Sequence, residues 1–139
     1  MLLGALIDAG IPLEEVQNAI NTLNIPACAL EAVKVTENSL AATRIQIIIA
    51  DTQPHRHLQD IEKIITSANL EGAVKEKSLE VFRCLAGAEA EVHGCNIEEV
   101  HFHEVGAVDA LVDIVGVTYG FHYLGINNIT CSPLPAPRG

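Results

Sequence analysis

Apolar residues recur along this chain mostly with the spacing of helices, and one stretch alternates as strands do. Residues 2–9 form a short helical pattern, and Gly10 is expected to end it in the left-handed conformation that closes many helices. Pro12 then opens a second predicted helix, whose apolar stripe runs from Leu13 to Leu23. The start of the chain is therefore predicted to be a pair of short helices.

The following segment has the pattern of a β-hairpin. Residues 29–36 and 40–50 alternate in side-chain character, and the turn-forming residues 37–39 separate them. Two such runs joined by a short polar turn favour an antiparallel pair of strands.

Helical spacing returns after a polar loop at residues 51–57. Helices are predicted at 57–67 and 71–93, with a turn at 97–99 and an extended segment at 100–104. The longer helix carries an apolar seam at three-and-four spacing, and we expect it to pack on the core through Val74, Ser78, Val81, Leu85, Ala88 and Val92.

The last helix, predicted at 105–124, is almost entirely apolar and is therefore expected to be buried. A short strand is predicted at 129–131. Together these elements indicate an α+β (or α/β) fold, in which a small β-sheet packs with several helices. We expect residues 1–139 to form a single domain, the truncated core of the N-terminal part of a larger protein, because a helical pattern begins at once without an N-cap.

Composition and charge narrow the possible functions. The chain has 18 acidic and 8 basic residues, a formal net charge of −10, so a nucleic-acid partner is not expected. No apolar stretch is long enough to span a bilayer, and no signal peptide is recognisable, so a cytoplasmic protein without a membrane partner is expected. The four cysteines have no zinc-site spacing.

The residues with the richest chemistry lie between 101 and 113. In an extended segment His101 and His103 would share one face, while Phe102 would point into the core. In the helix that follows, Asp109 and Asp113 are four residues apart, so their carboxylates would lie one above the other. Imidazole and carboxylate together suit nickel, zinc, iron or manganese. We therefore predict a divalent metal site whose ligands are His101, His103, Glu104, Asp109 and Asp113.

Burial of that helix would strengthen the argument for a metal. Two carboxylates on a buried helix repel one another, and a cation or a proton must offset them. Gly106, Gly116 and Gly120 extend the same helix face and would allow a ligand or a second backbone to approach closely.

Simpler roles stay open for several of these residues. The histidines could be packed or capping residues, and Asp109 could be favoured by the helix dipole alone. His55 and His57 form a second pair that could be a secondary metal site or an ordinary polar loop. A magnesium-dependent enzyme of nucleotide or phosphate chemistry using Asp109 and Asp113, or a non-catalytic assembly module, would also fit the pattern.

The stretch from His101 to Gly116, HFHEVGAVDALVDIVG, resembles the signature of the nickel insertion proteins of nickel-pincer cofactor synthesis. Other similar stretches are 3–10, 57–65, 88–94 and 132–135, so the resemblance covers nearly the whole chain. Members of this family usually carry a histidine-rich loop where this chain has only His55-Arg56-His57.

The resemblance implies a nickel chelatase of the lyase class that acts in the cytoplasm. Its expected substrates are nickel and pyridinium-3,5-bisthiocarboxylic acid mononucleotide, in a step that uses CTP with magnesium or manganese and completes the cofactor of lactate racemase. The C-terminal domain of the same protein and a second copy of the chain are further expected partners. Catalytic and nucleotide-binding residues are not assigned by the resemblance.

Overall fold

The computed structural model describes residues 2–49, 56–102 and 108–133, without the side chains of Glu37 and His101. In this part of the chain five α-helices and a 3-10 turn accompany two separate antiparallel sheets of two strands each. The predicted α+β class is confirmed. None of the described helices is long and apolar enough to cross a membrane.

The helices and the long hairpin follow one another in the predicted order. The elements are α1 (Leu2–Asp8), α2 (Leu13–Asn21), β1 (Cys28–Glu37), β2 (Leu40–Ile49), β3 (Arg56–His57), α3 (Leu58–Ser67), α4 (Gly72–His93), a 3-10 turn (Ile97–Glu99), β4 (His101–Phe102) and α5 (Val108–Tyr123). Gly94 adopts a left-handed conformation after α4, with φ 64°. Residues 105–107 of the predicted last helix lie outside the described residues.

The hairpin of β1 and β2 is the longer of the two sheets. Its register runs from Cys28 opposite Ile49 to Glu37 opposite Leu40. Asn38 and Ser39 form the connecting turn with φ of 50° and 66°, the positive values that a two-residue turn of type I′ requires.

Asp8 at the end of α1 fastens this hairpin to the helices. Its carboxylate accepts hydrogen bonds from the Lys34 ammonium of β1 and from the backbone N–H and hydroxyl of Thr43 in β2. These partners, the Lys34 hydrogen bond first, hold the pKa of Asp8 below its ordinary value of 3.8.

Helix α5 lies at the centre of the fold, in contact with α1, α2 and α4. The side of α5 that faces these helices is buried, at Val108, Leu111, Val112, Val115, Gly116 and Gly120. A Cβ added at Gly116 would meet Leu3 and Val16, and one at Gly120 would meet Leu6 and Ile11 at 2.9 Å. The expectation that these two glycines allow a ligand or a second backbone to approach is therefore wrong, because the space beside them is filled by side chains of α1, of α2 and of Ile11 between the two helices.

The packing seam of α4 departs from the prediction after its second member. Val74 and Ser78 are buried as expected, but the seam continues through Phe82 and Ala86 at a strict spacing of four. Val81 is 39% exposed and Val92 is 80% exposed, so neither belongs to the core.

Two predictions about short strands were wrong. The described residues 126–133 have no regular secondary structure, so 129–131 is not a strand. Conversely, Arg56 and His57 were predicted to lie in a loop, and they form β3 because residues of β4 supply their hydrogen-bonding partners.

Candidate functional site

The pairing of β3 with β4 brings together two histidine positions that are distant in sequence. In this antiparallel ladder Arg56 lies opposite Phe102, and His57 lies opposite His101. Directly opposite positions of such a pair carry Cβ atoms about 4.5–5.5 Å apart. The ladder therefore brings one residue of each HxH motif, His57 and His101, to opposite positions, whereas His55 and His103 lie outside the described residues.

Phe102 anchors β4 in the core. Its side chain is fully buried, as predicted, and its ring packs edge-on against Phe82 of α4, with 6.4 Å between the ring centroids. Since successive residues of a strand alternate between faces, the burial of Phe102 determines which face of β4 points to the core.

His57 is held at the junction between β3 and α3. It occupies the N-cap position of α3, and its backbone N–H donates to Asp60 Oδ2 at 3.3 Å. The reciprocal arrangement of the two side chains is that of a capping box. His57 therefore has a structural role at the start of α3, whether or not it also binds a metal.

Arg56 is a buried cation beside this pair, only 8% exposed. Arg56 is thus a buried positive charge directly before His57 in sequence, in a chain whose net charge is −10. The sequence analysis did not single out Arg56. The signal that could have found it is its place between two histidines at the start of a predicted helix.

Asp109 and Asp113 do not have the burial expected of them. Both carboxylates are exposed, on the solvent side of α5. Asp109 lies in the first turn and accepts the backbone N–H of Ala110 at 2.9 Å, a position that the helix dipole favours without a metal. The argument that a cation must offset two buried carboxylates therefore fails, although both residues stay available as ligands.

Asp113 borders an apolar groove between α1, α4 and α5. The groove encloses about 400 Å³ and is lined by Leu2, Leu3, Val81, Asp113, Ile114, Val117, Thr118 and Phe121. No residue of β3 or β4 lines it within the described ranges. The structure therefore does not show Asp113 joining the two histidine positions.

The complete predicted ligand set extends beyond what the structure describes. His55, His103 and Glu104 lie outside the described residues, as does the side chain of His101. Among the side chains that are described, no group of three or more His, Cys, Asp or Glu could hold a metal ion. His93 pairs with Glu89 at 3.2 Å, on the exposed side of α4.

Comparisons with known proteins point to one family. The model of the nickel insertion protein family matches residues 1–139. A relative from Thermomicrobium roseum, whose name assigns it provisionally to nickel insertion, is 47% identical over 140 residues. A relative from Desulfitobacterium hafniense, named pyridinium-3,5-bisthiocarboxylic acid mononucleotide nickel insertion protein, is 46% identical over 139 residues. No solved structure matches the chain.

Both relatives are much longer than the matched region. The matches include all of this chain but only 34% of the first relative and 35% of the second. The chain therefore spans about a third of the length of the curated relatives that it matches.

Proposed function

The chain belongs to the nickel insertion protein family, and on that premise we propose that it is the metal-handling part of a nickel chelatase. The complete protein would insert nickel into pyridinium-3,5-bisthiocarboxylic acid mononucleotide, the molecule in the name of the Desulfitobacterium relative. The observation that carries this proposal is the family match, which extends over every residue of the chain.

The finer parts of the proposal follow from the family resemblance. The reaction would use CTP with magnesium or manganese, would belong to the lyase class and would take place in the cytoplasm. Its product would be the nickel-containing cofactor of lactate racemase. Nickel is a substrate of this reaction, so the protein must bind the ion and also release it.

We place the nickel-binding residues around the β3–β4 ladder. His57 and His101 occupy directly opposite ladder positions, and His103 and Glu104 follow His101 in sequence. Neutral imidazoles suit nickel, and their demand for a deprotonated nitrogen would weaken binding below about pH 6. Asp109 and Asp113 would act as outer ligands or as acceptors that orient an imidazole.

Charge supports the same assignment. With a net charge of −10, the chain attracts divalent cations over long range.

Calorimetry with nickel tests the site directly. We expect His101→Ala with His103→Ala to abolish binding, and His93→Ala to leave it unchanged, because His93 lies on the exposed side of α4. Lack of binding by the unmodified chain, or equal binding by the double variant, would contradict the proposal. Binding that prefers magnesium and ignores the histidines would favour the magnesium-dependent alternative.

A test of the role of His57 in nickel binding requires a substitution that preserves the N-cap of α3. Asparagine is among the best N-cap residues, so His57→Asn removes the imidazole while keeping the start of α3. We expect this variant to lose nickel affinity with little change in unfolding temperature. If His57→Asn binds nickel as the unmodified chain does, His57 is only a capping residue and the site is made by residues 101–113.

A further inference from the structure

The apolar groove between α1, α4 and α5 continues toward the carboxyl end of α5. A second hollow of about 480 Å³ adjoins it, because Val81, Thr118 and Phe121 line both. One wall of this second hollow contains Ile126 and Ile129, which follow α5 in the chain. The two hollows together are called the α4–α5 groove below.

The α4–α5 groove is open in the part of the chain that the structure describes. Leu2 is 52% exposed in the first hollow, Val81 between the two hollows is 39% exposed, and Ile129 in the second hollow is 65% exposed. Apolar surface is thus in contact with water along the whole groove. A continuous apolar surface of this kind is typical of a place where another segment of polypeptide packs.

The charged groups along the groove differ in whether they are paired. Lys77 and Glu80 line the second hollow and form an ion pair with each other at 2.7 Å. Asp113 lines the first hollow, and its carboxylate is exposed. Within residues 2–49, 56–102 and 108–133 no hydrogen bond or ion pair reaches this carboxylate. The end of the groove at Asp113 therefore carries a negative charge that a cationic group could neutralise.

The chain itself contains a segment with matching chemistry. Residues 134–139 lie outside the described residues, and their sequence is LPAPRG. Arg138 is the only ionisable side chain among them, so the segment is positively charged in a chain whose net charge is −10. Pro133, Pro135 and Pro137 favour the polyproline II conformation, and a segment that is already restricted in this way loses little entropy when it docks.

We propose that residues 134–138 occupy the α4–α5 groove of the same molecule and run antiparallel to α5. Leu134 inserts against Phe121, and Arg138 binds the carboxylate of Asp113. This carboxylate has two acceptor oxygens, so the bond is compatible with the role proposed for Asp113 near nickel. The proposal concerns how the chain covers its own surface and does not depend on the proposed nickel chemistry.

The dimensions of the two segments agree with this register. A polyproline II segment advances about 3.1 Å per residue, so Arg138 lies about 12 Å beyond Leu134. An α-helix advances about 1.5 Å per residue, so Asp113 lies about 12 Å before Phe121, and both of these residues line the first hollow. Since polyproline II has three residues per turn, Leu134 and Pro137 also share one side of the docked segment.

The connection to the groove is short and long enough. Leu134 follows Ile129 by five residues, which an extended chain spans over about 17 Å. Residues 130–133 are exposed and line neither hollow, so they form the loop that leads back to the groove. A loop this short gives the segment an effective concentration of the order of millimolar at the groove, which favours it over a separate molecule.

Nuclear magnetic resonance of the whole chain tests the contact directly. We expect nuclear Overhauser effects from the methyl groups of Leu134 to the ring of Phe121 and to the methyl groups of Val81. In an equal mixture of isotope-labelled and unlabelled chains these effects should be intramolecular. Their absence at low salt overturns the proposal. Intermolecular effects also overturn it, because they would show that a second copy fills the groove.

A pair of charge insertions tests which residue enters the groove. Leu134→Asp places a carboxylate in the apolar hollow and should release the segment, whereas Ala136→Asp places the same charge on another side of it. We expect Leu134→Asp to raise the fluorescence of the apolar dye ANS at least about twofold, because the dye binds exposed apolar surface. Ala136→Asp should leave the fluorescence unchanged. Equal increases in the two variants would contradict the register.

A charge exchange tests the bond between Arg138 and Asp113. Arg138→Glu should lower the equilibrium constant for docking about two- to fivefold, the effect of one exposed ion pair, and adding Asp113→Arg should restore it. Failure of the exchange to restore docking would show that Arg138 lies elsewhere. Circular dichroism shows whether each variant keeps the fold, and the Overhauser effects of the unmodified chain decide the question if a variant unfolds.

Discussion

Gly4 of α1 lies directly against the backbone of Thr43 in β2. A Cβ built on Gly4 would be 2.0 Å from the Thr43 carbonyl oxygen and 3.0 Å from its carbonyl carbon. Because the obstacle is backbone rather than the end of a flexible side chain, only glycine permits this approach of helix to strand. The contact sets how closely the hairpin packs on the helices.

We expect Gly4→Ala to destabilise the chain by about 2–3 kcal/mol, since α1 must move away from β2 to accommodate the methyl group. Gly87→Ala is the matched control. Gly87 also lies within a helix, but nothing lies within 4 Å of an added Cβ, so alanine should stabilise α4 by about 0.5–1 kcal/mol. Urea unfolding measures both, and a neutral Gly4→Ala would contradict the packing described.

The Asp8 network predicts a pH dependence of stability. Because the hydrogen bonds from Lys34 and Thr43 lower the pKa of Asp8 in the folded state, the carboxylate stabilises the fold above its unfolded pKa. That contribution disappears as the pH falls through the lower, folded pKa. Unfolding curves from pH 2 to 7 should show Asp8→Asn less stable than the unmodified chain at neutral pH, with the difference vanishing in acid. A difference that is constant across this range would contradict the argument.

A partly buried pair of hydroxyl groups joins α4 to α5. Ser78 Oγ and Thr118 Oγ1 lie 2.7 Å apart, and Thr118 also donates to the backbone of its own helix. Thr118→Val would leave the fully buried Ser78 hydroxyl without this partner, at a cost of about 1–3 kcal/mol. Thr66→Val, at an exposed threonine that donates to the Glu62 carbonyl, should change the free energy of unfolding by less than about 0.5 kcal/mol. Equal costs for the two valine variants would show that this pair is unimportant.

Two adjacent residues of α4 differ sharply in burial. Phe82 is fully buried against Phe102, whereas Val81 is partly exposed at the apolar groove. Phe82→Ala should therefore cost about 3–5 kcal/mol and Val81→Ala less than about 1 kcal/mol. Thermal unfolding of the two variants distinguishes this seam from the one that the sequence favours, in which the order of the two effects would be reversed.

The helices and the long hairpin could be predicted because their signals are local. The turn at Asn38 and Ser39, the left-handed Gly94 and the stripe of α2 each depend on residues within one element. The α4 seam was harder to predict, because Val81 and Phe82 are both apolar and three- and four-residue spacings are equally helical. Contact with Phe102, a residue from another element, decides between them.

The candidate site could be predicted only in part. The HFHE motif and the family resemblance are visible in the sequence, whereas the pairing of His57 with His101 depends on two-residue strands that have no alternation to detect. The exposure of Asp109 and Asp113 was also missed. Most residues around them in α5 are apolar, and hydrophobicity alone does not reveal which narrow strip of such a helix remains in contact with water.

The ladder between β3 and β4 has a consequence for how the chain folds. It joins segments on either side of α3 and α4, so both helices lie inside the loop that it closes. Two residue pairs stabilise the ladder too little to offset the entropy of closing such a long loop. That entropy is smaller once α3 and α4 have packed and brought β3 and β4 close together. The ladder should therefore form late in folding and open early in unfolding, and the backbone amides that donate across it should exchange with solvent faster than amides at the centre of α4.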